Sequence, residues 1–195
     1  MIKSLFVSLF LLTALTAFSQ SAELLAGHRY YGPFNPIKAG YDAQYSVGIL
    51  FNSAIVEKSQ WLMQTQADIS LKDKVEIYDK GTFQRGGFSA SFLFGRLLTN
   101  PKKPFGLSCY LGTSAGWRTL KNIDYEIRQS KVAGLLSIQP SYIVNRLIFR
   151  LQITPEWVFN TQLMDDNQVK DQYFNRVPLG SGTNIRSQLS IGWIF

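Results

Sequence analysis

The stretch Ser187-Gln188-Leu189-Ser190-Ile191-Gly192-Trp193-Ile194-Phe195 (SQLSIGWIF) puts Leu189, Ile191, Trp193 and Phe195 on one face of an extended chain, and Gln188, Ser190 and Gly192 on the other. Successive side chains of a strand point to opposite sides, so one face is large and apolar and the other small and polar. Chain ends of water-soluble domains are usually frayed and polar. This one stays strand-like and apolar to Phe195, as the closing strand of a barrel would.

The same alternation recurs along the chain. Tyr41, Ala43, Tyr45, Val47, Ile49 and Phe51 oppose Asp42, Gln44, Ser46 and Gly48, and Trp61, Met63, Thr65, Ala67, Ile69 and Leu71 oppose Gln60, Gln64, Gln66, Asp68 and Ser70. Phe88, Ala90, Phe92 and Phe94 face away from Gly87, Ser89, Ser91 and Gly95. Phe105, Leu107, Cys109, Leu111, Ala115 and Trp117 face away from Gly106, Ser108, Gly112, Ser114 and Gly116. Leu136, Ile138, Pro140, Tyr142 and Val144 continue the pattern, as do Phe149, Leu151, Ile153, Pro155, Trp157 and Phe159 against Arg150, Gln152, Thr154, Glu156 and Asn160. Proline removes a ladder donor, so Pro140 and Pro155 are expected at local bulges or breaks in pairing within continuous strands.

These segments are strands of roughly 11 to 13 residues, somewhat longer than a tilted membrane strand needs. Asn145-Arg146 reads as a tight turn and Asn52 to Lys58 as a short link, whereas Lys72 to Thr82, Thr119 to Lys131 and Thr161 to Thr183 read as longer, charged loops. Membrane barrels of bacteria have even strand numbers, with short turns at one end and long loops at the other. An even count requires one more strand before Tyr41, and Ala22 to Tyr31, although poorly alternating, is the segment available. The fold class expected is therefore all-β: a transmembrane antiparallel up-and-down β-barrel of about eight strands.

At the other terminus, Met1-Ile2-Lys3 supplies a positive start, Leu5 to Ala14 an apolar run too short to span a bilayer, and Ala17-Phe18-Ser19 small residues of the kind a signal peptidase reads. Residues 1–19 are expected to be a signal peptide, leaving 20–195 as one barrel domain. The composition, 46% hydrophobic and 14% aromatic, implies much buried or lipid-facing surface, yet no second segment is apolar enough for a membrane helix. The formal charge of +7 falls by one with Lys3, and the remaining excess is spread along the chain. That pattern points away from nucleic acid and toward anionic lipid headgroups. The single cysteine, Cys109, sits on an apolar strand face and reads as a small hydrophobe.

Alternation alone fits either a membrane barrel, apolar outside, or a lipocalin-like soluble barrel, apolar inside. The less apolar face carries Gly, Ser and Gln, as a narrow eight-stranded lumen requires. Aromatic residues gather near the strand ends of the apolar face, where rings would sit at the two membrane interfaces. Both features favour the membrane barrel.

The alternating Leu189, Ile191, Trp193 and Phe195 resemble the C-terminal strand signature of Gram-negative outer-membrane proteins. That resemblance implies recognition by the barrel-assembly machinery and a place in the outer membrane, among outer-membrane lipid and lipopolysaccharide. Over its mature length the chain is similar in architecture to small eight-stranded barrels of the OmpA-transmembrane or OmpX kind.

Little chemistry is written into the strands. Some eight-stranded barrels hydrolyse lipid A with a His-x-Ser pair supported by an acid. The only histidine, His28, is followed by Arg29-Tyr30-Tyr31 and lacks that spacing. A surface or lumen histidine is the plainer reading of it, a catalytic one the alternative. No metal-ligand spacing occurs, Asp165-Asp166 reads as a solvated loop pair, and no cofactor is implied. Asp42, Asp68, Arg150, Glu156 and Arg186 fall on the inner face, and counting back across the last hairpin brings Glu156 near Arg186. Mutual neutralisation in a narrow lumen is their expected role, with an ion or proton pathway as the alternative. Lys72, Lys74, Lys80, Arg118, Lys121, Arg128, Lys131, Lys170 and Arg176 flank the expected outer ends, where they would meet either water or lipopolysaccharide phosphates. The function expected is a structural or interaction role, through external loops or an unidentified envelope partner, without porin activity.

Overall fold

The structure, a computed structural model, describes residues 20–31, 42–54, 60–77, 81–100, 102–121, 123, 126–163 and 182–195. The expected signal peptide lies outside them, as do Tyr41, Asp165, Asp166, Lys170 and Arg176. The strands are β1 (Ser21–Tyr31), β2 (Asp42–Ala54), β3 (Trp61–Ile77), β4 (Gly81–Leu97), β5 (Phe105–Lys121), β6 (Glu126–Val144), β7 (Leu147–Leu163) and β8 (Gly182–Ile194). Each pairs antiparallel with its neighbours in sequence, and β1 pairs with β8, so the eight strands close into an up-and-down barrel.

The weakly patterned N-terminal segment is a full strand, in register with β8 from Ser21↔Ile194 to Tyr31↔Asn184. Backbone groups extend that seam beyond the strands. The Phe195 amide donates to the Gln20 carbonyl at 3.0 Å, and the Gln20 amide to the Asn52 carbonyl at 2.7 Å. Closure therefore leaves no edge among these strands, which is how a β structure satisfies its backbone in a medium without water.

One expectation needs correction. Most of the stretches read as charged loops, Lys72 to Thr82 and Thr119 to Lys131, are strand: β3 runs to Ile77 and β4 starts at Gly81, while β5 runs to Lys121 and β6 starts at Glu126. Beyond the apolar band both faces of a strand meet polar surroundings, so alternation fades while backbone pairing continues. Consequently β3 to β7 are 17 to 19 residues long, against 11 for β1 and 13 for β2 and β8. Among the described residues, one side of the barrel therefore projects past the other. At the prolines, of the two outcomes expected, the structure has breaks in pairing and not bulges, within continuous strands. The β6–β7 register is unchanged from Leu135↔Glu156 through Ile138↔Ile153 to Ser141↔Arg150, with pairing interrupted near Pro140 and Pro155; the shifts fall at Val132/Ala133 and at Ser70/Asp73.

At the short-turn end, Asn145 has φ 56°, a left-handed conformation that asparagine tolerates and β-branched residues do not. Asn145→Val is expected to lower barrel stability by about 1–2 kcal/mol, with Asn145→Gly near neutral, in urea unfolding of detergent-refolded protein.

Outside, Leu24, Leu111 and Leu189 are each about two-thirds exposed, among many other exposed apolar side chains. Inside, Gln64, Ser89, Ser137, Gln139 and Glu156 are completely buried. The inner face is not made only of small residues. Leu93, Tyr110 and Leu135 form a buried cluster there, and glycines make room for it: a Cβ on Gly95 would fall under 3.0 Å from the Tyr110 ring.

Candidate functional site

Among the described residues, the lumen holds three tiers of ionic contacts. In the main tier, the buried Glu156 carboxylate accepts from Lys131 Nζ at 3.0 Å, Ser114 Oγ at 3.1 Å and Asn184 Nδ2 at 3.3 Å. Arg29 Nε stands 3.3 Å from it and Arg186 Nη2 3.5 Å. The same two arginines reach Asp68, Arg29 at 3.5 Å and Arg186 at 3.3 Å, and Ser89 Oγ donates to that carboxylate at 2.9 Å. Strand register explains the shared carboxylates. Arg29 and Arg186 are direct partners across β1 and β8, a like-charge juxtaposition that destabilises a sheet unless anions intervene. Asp68 from β3 and Glu156 from β7 supply them.

Toward the short-turn end, Arg150 forks onto Glu23, Nε at 3.1 Å and Nη2 at 2.9 Å. Ser21 Oγ donates to Glu23 at 3.0 Å, and Arg150 Nη1 donates to Gln139 Oε1 at 3.2 Å. Gln139 then crosses the lumen to Gln64 Oε1 at 2.9 Å. Toward the projecting end, Arg85 forks onto Asp73, at 2.7 and 2.6 Å, and donates to the Ala43 carbonyl at 3.1 Å. Between tiers, Gln66 donates to Gln188 at 2.8 Å, and Gln188 to Ser46 at 3.2 Å. Because several of these contacts, Gln139 to Gln64 and Gln66 to Gln188 among them, join strands that are not neighbours, they cross-brace the barrel and fill its bore.

Of the residues singled out from sequence, Asp68, Arg150, Glu156 and Arg186 thus lie inside, with Arg186 and Glu156 in contact. Asp42 opens β2 in register with Tyr31, and its side chain lies outside the described residues. Lys131, grouped from sequence with the outer-end cations, turns inward onto Glu156 instead. Arg29, Glu23 and Asp73 are lumen charges that the sequence pattern does not reveal, whereas Arg85 shares the parity of the inward Ser89 and Ser91. Parity in the poorly alternating β1 gives no clear face for Arg29 and Glu23, and the register shift between Ser70 and Asp73 hides the inward turn of Asp73.

His28 lies on the outer wall, not in the lumen. Its ring sits 4.2 Å from that of Tyr45 and 5.8 Å from that of Tyr30. Ser187 is its register partner on β8, and the buried Nδ1 has no hydrogen-bond partner. Among the described residues, no three His, Cys, Asp or Glu side chains converge as a metal site would require.

No family model and no curated protein matches the chain. Solved structures do match in fold. Neisserial surface protein A is 8% identical with a TM-score of 0.60, over 90% of this chain and 96% of that one. A major outer membrane protein from Thermus thermophilus is 11% identical at TM-score 0.60, over 90% and 99%. The outer membrane protein OprG from Pseudomonas aeruginosa is 10% identical at TM-score 0.54, over 91% and 96%. At such identities the likeness is one of fold alone, the fold of small outer-membrane barrels.

Proposed function

We propose that this chain, folded as small outer-membrane barrels are, is an integral outer-membrane protein with a sealed lumen that works through its outer wall and projecting strands. The observation that carries this reading is its polarity. A soluble barrel hides apolar side chains and exposes charge, whereas here buried arginines and carboxylates fill much of the inside, and many leucines and phenylalanines and all the tryptophans are exposed on the outside. In water so continuous an apolar surface would aggregate; in a bilayer it is solvated. Aromatic residues near both ends of the outer wall, Trp61, Phe105 and Trp193 at one and Tyr45, Trp117 and Trp157 at the other, suit the two interfaces. Residues 1–19 would direct export, and the closing strand would engage the barrel-assembly machinery. The short-turn end then faces the periplasm and the projecting wall of β3 to β7 faces outward, toward lipopolysaccharide or an envelope partner.

The cross-braced lumen argues for a structural or interaction role and against a general pore, since an eight-stranded barrel has little room beyond its own side chains. Planar-bilayer recordings of the reconstituted protein are expected to show no porin-like conductance steps. A steady open channel would overturn the sealed-lumen reading and favour the ion-pathway alternative.

The register pairing of His28 with Ser187 on the lipid-facing wall favours one second reading, a lipid A hydrolase with His28 as base. Against it, the His28 ring packs against Tyr30 and Tyr45, and among the described residues its buried Nδ1 has no hydrogen-bond partner to orient the imidazole. Lipid A from cells with and without the protein is expected to have the same acyl composition by mass spectrometry. An acyl-chain loss abolished by His28→Ala would establish the hydrolase instead.

A further inference from the structure

On the outer wall, the apolar rows of three neighbouring strands end at one level. On β3 the row reaches Ile69 and Leu71 before Lys72; on β4 it stops at Phe88, below Gly86 and Gln84; on β5 it stops at Trp117, below Thr119 and Lys121. Above this boundary is a hollow of about 630 Å³ lined by Lys72, Lys121, Gly86 and Gly87, with Phe88 and Trp117 at its lower edge. Directly below, on the same strands, is a second hollow of about 400 Å³ whose lining includes Thr65, Ala67, Ala90, Thr113 and Ala115. The Phe88 and Trp117 rings, 4.8 Å apart, mark the division between the two.

We infer that these two hollows form one lipid-binding site, seating the phosphate-bearing headgroup of an outer-leaflet lipid above and its acyl chain below. The inference rests on the outer-membrane reading and specifies a ligand class and a place for it. Small side chains on three adjacent strands form a trough where a chain can lie close to the wall. The cations stand at the height of a headgroup, where Lys is an effective point charge for phosphate. Asp73, between Lys72 and Lys74, does not neutralise them, because it turns inward to Arg85. Lys72 and Lys121 line the upper hollow, and the exposed Lys74 follows Lys72 on β3, in register with the lining Gln84. The larger outer hollow, about 650 Å³ between Leu24, Pro140, Phe149 and Leu189, lacks this polarity. Its one lining cation, Arg150, is committed to Glu23 inside.

The test is native mass spectrometry of the full-length mature protein in detergent, titrated with diphosphorylated lipid A, the same lipid dephosphorylated, or inorganic phosphate. Bilayer insertion of every variant is first checked by heat-modifiable migration. Lipid A is expected to bind, and the Lys72→Gln/Lys74→Gln/Lys121→Gln variant to weaken it about tenfold, the scale of losing charge-assisted contacts. Gly86→Val fills the hollow without changing charge; a Cβ there meets only Lys72 Cγ at 3.5 Å and the Ser70 carbonyl at 4.0 Å. It is expected to weaken binding comparably. Dephosphorylated lipid should bind poorly, and inorganic phosphate should not displace lipid A. Equal binding by both variants, or by dephosphorylated lipid, would overturn the site while leaving the outer-membrane reading intact. Displacement by inorganic phosphate would reduce the site to an anion site without a lipid component. Failure of the wild-type protein to insert would instead contradict the outer-membrane reading itself.

Discussion

Glu156→Gln is expected to destabilise the detergent-refolded barrel by about 3–5 kcal/mol, the scale of breaking a buried ionic contact by removing one partner. The direction follows from charge count in a confined space. Arg29, Lys131 and Arg186 face Asp68 and Glu156, an excess of one cation; without the Glu156 charge, the same three cations share Asp68 alone. Lys131 contacts Glu156 by both ion pair and hydrogen bond at 3.0 Å, so adding Lys131→Gln restores the original excess and should recover much of the loss. Adding Arg186→Gln instead removes a partner of Asp68 and should recover less. Urea unfolding through a double-mutant cycle measures the coupling. Zero coupling would mean that water screens the network to the level of an exposed bridge.

Replacing Phe195 with Asp, or deleting it, is expected to cut outer-membrane yield several-fold, with a smaller effect from Ile194→Asp. Phe195 is about three-quarters exposed on the outer wall, in line with Leu189, Ile191 and Trp193. It belongs to the apolar face that assembly would recognise and lipid would cover. Ile194 pairs with Ser21 at the seam and lies on the inner face. Quantitative immunoblotting of washed outer membranes separates the two positions. Equal losses would mean that recognition does not depend on the outward face, and that the terminal pattern serves only strand closure.

How much of this was legible in the sequence depended on where each residue sits relative to the apolar band. Within it, the contrast between faces is sharp: Phe88, Ala90, Phe92 and Phe94 against Ser89 and Ser91 assign β4 without ambiguity, and the same parity places Arg150, Glu156 and Arg186 inside. In β1 the contrast weakens, because His28 faces outward and Leu25 is buried inward; the requirement for an even strand number identified that strand better than its own pattern. Above the band, polar side chains on both faces made paired strand look like loop. Lys131 was readable, since it shares parity with the inward Ser137 and Gln139, but a lysine near a strand end looks like a solvated charge. Asp73 was not, because the shift after Ser70 exchanges the faces. Pro140 and Pro155 could be read as bulges or as breaks in pairing, because a missing donor and an extra residue are indistinguishable in sequence; in the barrel they interrupt pairing without altering register.

Tryptophan emission from the protein refolded into vesicles tests the lipid-facing wall most directly. All four tryptophans, Trp61, Trp117, Trp157 and Trp193, lie on the outer wall, each between 41% and 49% exposed, and none is in the lumen. Lipids with brominated acyl chains are expected to quench most of the emission, and aqueous acrylamide little of it. Emission insensitive to brominated lipid and strongly quenched by acrylamide would place those rings in water and contradict an outer-membrane barrel.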